Sequence, residues 1–317
     1  MCDANDTRSN ATIPLPERAI PRRSTDHQLN ANEKTSAIRL GIRAHDIGRF
    51  PADDLARRVA AEGLDCVQLA LGKAIEGVDL QPGVIGSGFA SEIGDAFRRH
   101  QVRIEVLGCY INPIHPDAET RSSLLGLFKE HLRHARDFGC NLVALESGSL
   151  NADYSPHPGN AGEEAFGELV GSMRELVAEA GRCGVVVGIE AVTSHVISTP
   201  GKLRRLLDEI PSPHLQVVFD PVNLLSLANC QSQREIMRRS VDLFGDRIAV
   251  VHAKDFRIGA ESLVTCPAGE GMLDYEWLLS WLACRKAGIA ILLEETGPDH
   301  IASCVRFIRN QPLIPIS

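Results

Sequence analysis

Four ionisable side chains end apolar runs in the second half of the chain. Glu190 ends VVVGIE, Asp220 ends LQVVFD, His252 ends IAVVH and Glu294 ends IAILLE. A carboxylate in such a position is costly to desolvate unless it has a partner. Each residue alone has a structural explanation: a strand-end Glu caps a helix or pairs with a Lys, and a lone His is a hydrogen-bonded core residue. Jointly, three carboxylates brought to one place repel one another strongly unless a cation lies among them. Two Glu, one Asp and one neutral His make a mainly oxygen donor set that suits one divalent metal ion, Mn2+, Mg2+ or Co2+, and also admits Zn2+. Glu295 directly follows Glu294, and period-two alternation turns one of the pair inward and the other outward.

Bringing these four ends together requires a sheet. From Ile38 onward, short β-branched or apolar runs alternate with amphipathic stretches, the pattern of βα units around a parallel sheet. Eight runs stand out: IRLGIRA from Ile38, DCVQLA from Asp65, VRIEVLGC from Val102, NLVALES from Asn141, VVVGIEAV from Val185, LQVVFD from Leu215, IAVVHAKD from Ile248 and IAILLEE from Ile289. Helix signals lie between them. Pro51, with Asp53 and Asp54 behind it, predicts a helix with proline at its first position and Gly63 at its end. Leu125, Phe128, Leu132 and Ala135 share one face before Gly139. Ser198, Thr199 and Pro200 form another start, and Asp274 opens a helix that Gly288 ends. Eight strand–helix units predict an α/β fold, a single (β/α)8 TIM barrel, whose active site lies at the C-terminal ends of the strands. A doubly wound dinucleotide fold is the rival. The first run leads into RAHDIGRF, which has no G-x-G-x-x-G, and Gly269 and Gly271 form only a G-x-G in a loop.

Composition narrows the function classes. The chain has 317 residues, 44% of them hydrophobic, and a formal charge of −8, which argues against a broad nucleic-acid surface. No stretch approaches the roughly 18–20 apolar residues of a membrane span. The nine cysteines are scattered without a C-x-x-C pair, which predicts reduced thiols, a cytoplasmic location and no zinc ribbon. Residues 1–36, polar and carrying Pro14, Pro16 and Pro21, predict a disordered tail, leaving 37–312 for the barrel. Asp3, Asp6, Glu17, Asp26 and Glu33 argue against an organellar transit peptide there.

GIEAV, VVFDPVN, VVHAKD and ILLEE, in that order on the last four runs, resemble the xylose-isomerase-like sugar phosphate isomerase/epimerase superfamily. The resemblance spans about Ile38 to Asn310. In its ketose 3-epimerases the matching positions bind one divalent cation, which implies Glu190, Asp220, His252 and Glu294 as ligands. It favours Glu294 over Glu295, because the ligand there directly follows the apolar run. It also implies that Glu190 and Glu294 are the catalytic residues, moving protons on opposite faces of a sugar carbon through a metal-stabilised enediolate. The implied activity is a metal-dependent isomerase or epimerase acting on a sugar or sugar phosphate. Relatives commonly form homo-oligomers.

Other polar residues near strand ends are candidates for substrate binding: His45, His115, Glu146, His195, Asn223, Lys254 and Asp255, with Gln68 and Asn112 nearby. His115 has an alternative role in capping the helix that opens at Asp117, Gln68 in satisfying a backbone group, and Lys254 and Asp255 in pairing with each other. The ketose epimerases carry another Glu in the loop where this chain has His195. Where relatives have D-x-x-H, Asp220 is followed by Asn223, a poor ligand, which with the acidic charge counts against the multi-zinc apurinic endonuclease branch. A polyol or keto-inositol dehydratase on the same metal barrel, and a sugar-binding barrel without catalysis, are the alternatives.

Overall fold

The computed structural model describes residues 38–314. The predicted 1–36 tail lies outside them. The barrel strands are β1 (Arg39–Arg43), β2 (Cys66–Leu69), β3 (Arg103–Gly108), β4 (Leu142–Glu146), β5 (Val186–Glu190), β6 (Leu215–Phe219) and β7 (Ile248–Ala253). After β7 comes a hairpin, β8 (Asp255–Ile258) and β9 (Leu263–Cys266), and then the last barrel strand, β10 (Ala290–Leu293). The barrel strands are parallel and closed in chain order, β10 pairing with both β7 and β1. Around them lie the helices α1 (Ala52–Ala61), α2 (Ser87–Arg99), α3 (Ala118–His134), α4 (Glu163–Cys183), α5 (Pro200–Glu209), α6 (Gln233–Phe244), α7 (Tyr275–Arg285) and α8 (Pro298–Arg309). Each of the eight predicted runs contains one barrel strand.

Local chemistry sets the helix starts. Asp117 accepts from Thr120 N at 2.8 Å, Thr199 from Lys202 N at 3.2 Å and Asp274 from Trp277 N at 3.1 Å, each satisfying a donor of a first turn. Pro200 occupies the first turn of α5 as predicted. Pro51 instead precedes α1, which begins at Ala52.

Two apolar layers hold the barrel. The larger lies between strands and helices. The smaller comprises Cys66, Val106, Leu142, Ala144, Val218, Val250, Ala290 and Leu292, side chains that fill the barrel interior. Alternation then dictates what lies above this plug, because residues two apart share a face. Two residues beyond Cys66 is Gln68, beyond Ala144 is Glu146, beyond Val218 is Asp220, beyond Val250 is His252 and beyond Leu292 is Glu294. On β1 and β5 the glycines Gly41 and Gly188 take the interior place below Arg43 and Glu190, whereas on β3 Gly108 lies above Val106. A Cβ on Gly188 would meet Val218 at 3.0 Å and Leu142 at 3.1 Å, so β5 approaches the interior closely below Glu190.

The hairpin was not predicted. The chain turns back at Gly259, whose N–H donates to Ser262 O at 3.0 Å. Asp255 organises the base of this excursion: it accepts from Phe256 N and Leu273 N at 2.8 Å each and from Gly269 N at 3.1 Å. A Cβ on Gly271 would lie 2.4 Å from Asp255 Oδ1, so this glycine lets the loop close on the carboxylate.

Gly41 in β1 tests the interior packing. A Cβ there would meet Cys66 O at 2.3 Å and Leu292 Cδ2 at 2.7 Å. Gly41→Ala is expected to lower stability by about 1–3 kcal/mol in urea denaturation; a variant as stable as the parent would contradict the packing described.

Candidate metal centre

Glu190, Asp220, His252 and Glu294 meet at the C-terminal mouth of the barrel. All four are buried, and each offers one ligand atom within 4.8 Å of the others. Glu190 ends β5, Asp220 follows β6, His252 lies in β7 and Glu294 follows β10. The ambiguity of the last pair resolves by alternation: the Glu294 side chain is 8% exposed, whereas that of Glu295 is 48% exposed.

Two fixed cations border the cluster. Lys254 Nζ lies 2.9 Å from both Asp220 Oδ2 and Glu294 Oε1. Arg43 donates to Glu294 Oε1 at 3.0 Å while its other nitrogens grip Asp46 at 3.0 and 3.2 Å. Burial alone would raise the Glu294 carboxyl, but Lys254, His252 and Arg43 hold it well below the usual carboxylate range. Asp220 has less relief: burial pushes it up to about 6 despite Lys254. Its Oδ1 accepts from Val222 N at 2.8 Å and Asn223 N at 3.1 Å, which fixes the carboxylate against the turn after β6. Burial would lower the His252 imidazole, yet Glu190 and Glu294 hold it well above its usual value in the metal-free molecule.

The directions of the donor atoms fit a cation. His252 Nδ1 and Asp220 Oδ2 are buried, and neither has a hydrogen-bond partner among the described residues. Both nevertheless face close opposite charge, since Nδ1 is 2.7 Å from Glu294 Oε2 and 3.4 Å from Glu190 Oε1. The ring nitrogen therefore aims between the carboxylates rather than along a bond to either. Oxygen and imidazole donors converging in this way can hold a divalent metal ion.

The predicted substrate-binding residues divide into two groups. Glu146, at the end of β4, pairs laterally with Glu190, and its Oε2 lies 3.3 Å from His195 Nδ1. His195 leans on Tyr154 with ring centroids 5.4 Å apart. Asn223 donates to Glu190 Oε1 at 2.7 Å, so it orients a cluster carboxylate. His45 packs edge-on to Tyr110, and its imidazole is pushed down to about 4 by burial and by Arg43 and Lys73. These residues ring the cluster.

The others belong elsewhere. His115 Nδ1 accepts from Asp117 N at 3.2 Å, the local capping role. Asn112 bridges the loops after β3 and β4 through Ser149 and Asn151. Lys254 and Asp255 do not pair: as consecutive residues they face opposite ways, Lys254 into the barrel and Asp255 into the hairpin loop. Asp255, expected among the substrate-binding residues, accepts from the backbone amides of that loop. Arg43 and Tyr110 were missed. Alternation in RLGIR placed Arg43 inward with Gly41 and was the available signal; Tyr110 sits in a loop with no such pattern.

Fold and cluster together define a TIM barrel with a buried cluster of acidic and imidazole side chains at its mouth. The xylose isomerase-like TIM barrel family model matches residues 56–311, and the chain belongs to that family. Comparison with curated proteins returns no match. Among solved structures, a 3-keto-D-glucoside 4-epimerase from E. coli is 17% identical, covering 86% of this chain and 99% of its own, with a TM-score of 0.63. A probable 3-DHS dehydratase from Bacillus anthracis is 13% identical over 87% of this chain and 100% of its own, at 0.67. A xylose isomerase-like TIM barrel protein from Mycobacterium smegmatis, in complex with magnesium, is 16% identical over 86% and 95%, at 0.63. At these identities the likeness shows the fold. No helix among the described residues is long and apolar enough to cross a membrane.

Glu146 gives a pH test. Burial, with Glu190 and Glu294 adding to it, pushes its carboxyl from 4.5 up to about 7. The folded chain then holds this proton more tightly than the unfolded chain, so the residue's contribution to stability falls as pH rises through that window. In chelator-treated protein, Glu146→Gln is expected to melt about 2–4 °C higher than the parent at pH 8, with the gain vanishing toward pH 5. An equal difference at both pH values would contradict this electrostatic origin.

Proposed function

We propose that the chain is a metal-dependent isomerase or epimerase that moves a proton on a carbon next to the carbonyl of a sugar or sugar-like compound. The observation that carries this reading is the convergence of four buried ligand atoms within 4.8 Å at the barrel mouth. A divalent cation held by Glu190, Asp220, His252 and Glu294 would supply Lewis-acid polarisation of the substrate carbonyl and an adjacent hydroxyl. The solved epimerase and the magnesium-bound barrel among the structural relatives support the same class.

The two glutamates are not equivalent. Glu190 Oε1 is held by the neutral amide of Asn223, and its Oε2 carries no hydrogen bond among the described residues. Glu294 Oε1 accepts from both Arg43 and Lys254, which stabilise its ionised form. We assign proton removal to Glu190, the less compensated base, and proton exchange at the opposite face to Glu294. Glu146, His195, Asn223 and His45 surround this pair as hydroxyl partners. Because Arg43 and Lys254 are both engaged by carboxylates, an unphosphorylated sugar fits this mouth better than a sugar phosphate.

One observation favours a second reading. Glu146 stands beside Glu190 across β4 and β5, with its carboxyl raised chiefly by burial, and is placed to protonate a leaving hydroxyl, as a dehydratase requires. Product mass separates the two, since dehydration removes water and isomerisation conserves mass.

Incubating the Mn2+-loaded enzyme with candidate ketoses in D2O is expected to place deuterium on one carbon. Glu190→Gln and Glu294→Gln should each slow exchange by about 10²–10⁴-fold while remaining folded by circular dichroism. Near-parental exchange in either variant would remove that residue from the chemistry.

A further inference from the structure

Gln68 is 2% exposed and lies in β2, facing the interior two residues above Cys66. Its Oε1 is 2.9 Å from His252 Nε2. On its other side, Gln68 Nε2 donates to the hydroxyl of Tyr110 at 2.9 Å. Lys73 Nζ sits 4.1 Å above the Tyr110 ring and packs that side chain from outside. A buried chain thus runs from the barrel rim through Tyr110 and Gln68 to the far nitrogen of His252.

We propose that Gln68 is a positioning residue for the metal centre: its carbonyl oxygen takes the Nε2 proton of His252 and so presents an unprotonated Nδ1 to Glu190, Asp220 and Glu294. This rests on the metal-dependent reading above. A neutral imidazole carries one proton, and only the nitrogen without it can bind a metal. The opposite amide orientation would place the Gln68 NH2 against Nε2 and move the ring proton to Nδ1. Nδ1 instead faces Glu294 Oε2 at 2.7 Å and Glu190 Oε1 at 3.4 Å without a well-aligned hydrogen bond among the described residues, so it is the ring nitrogen that points where a cation would lie. With the proton on Nε2, it has Gln68 Oε1 as acceptor, and the amide N–H has Tyr110.

The residue type also matters. The acceptor that orients a metal-binding histidine is often a carboxylate. Here three carboxylates already crowd the mouth, and a neutral amide orients the ring without adding a fourth charge. Gln68 and Tyr110 come from β2 and from the loop after β3, whereas the candidate ligands come from β5, β6, β7 and β10. The chain therefore braces the cluster from the opposite wall of the barrel.

Calorimetric titration of chelator-treated protein with Co2+ tests the role without any substrate. Gln68→Met, which keeps the volume and removes the acceptor, is expected to weaken Co2+ binding by about 10–100-fold. Gln68→Glu, which keeps an acceptor for the Nε2 proton, is expected to retain at least a tenth of the parental affinity. Independently of any variant, ring 15N shifts of Zn2+-loaded protein should show His252 protonated at Nε2, the signal being identified by its loss in His252→Asn. Parental affinity in Gln68→Met, an equal loss in Gln68→Glu, or a proton on Nδ1 would overturn the proposal. Parental protein that binds no Co2+ would instead overturn the metal reading on which it stands, and the role of Gln68 with it.

Discussion

Mutual repulsion among three buried carboxylates is the constraint to which the rest of the barrel mouth answers. Two like charges about 4 Å apart repel by roughly 4 kcal/mol at an effective dielectric of 20, and three pairs multiply that cost. Glu190, Asp220 and Glu294 tolerate it because neighbours hold each one. Lys254 spans Asp220 and Glu294, Arg43 reaches Glu294 while anchored by Asp46, Asn223 binds Glu190, and two backbone N–H groups bind Asp220. These partners leave His252 Nδ1 without a well-aligned hydrogen bond of its own and Asp220 Oδ2 against the Lys254 ammonium. Lys254, Arg43 and the His252 imidazole offset these three negative charges when no cation is bound, and a divalent cation would take the place of the imidazole's proton among the same donor atoms.

The barrel delivers this arrangement through a single rule. Small and apolar side chains fill the interior as a plug, and on every barrel strand but β3, where Gly108 follows Val106, the next inward residue is polar and faces the mouth. The close approaches of Gly41 and Gly188 bring β1 and β5 near enough for Arg43 and Glu190 to take their places. Packing below and chemistry above are therefore consecutive positions of one alternating pattern, so a shift of one residue in strand register would bury the ionisable groups against the helices. The hairpin β8–β9 is joined to this scheme by Asp255, whose bonds to backbone amides stiffen the loop that follows Lys254.

Much of this was legible in the amino-acid order. Runs such as VVVGIE and LQVVFD carry both the strand and its terminal acid, so the barrel and the four converging side chains could be read from where apolar stretches stop. The hairpin could not, because RIGAESLVTC contains exposed Arg257, Ile258 and Val264 and offers no buried face to announce a strand. Alternation along the strand carries the inward direction of Arg43 and the opposite directions of Lys254 and Asp255, which residue type alone does not. Tyr110 and the meeting of His195 with Glu146 and Tyr154 depend on how loops fold over the mouth. No local period encodes that, since the partners lie tens of residues apart and meet only once the barrel closes.

That these four side chains share one metal ion is tested directly by anomalous diffraction from crystals grown with Mn2+. Data collected at the manganese edge are expected to give one peak per chain, bonded to Glu190, Asp220, His252 Nδ1 and Glu294. Electron density showing the Lys254 ammonium bridging Asp220 and Glu294, with no anomalous peak among the four at saturating Mn2+, would contradict it.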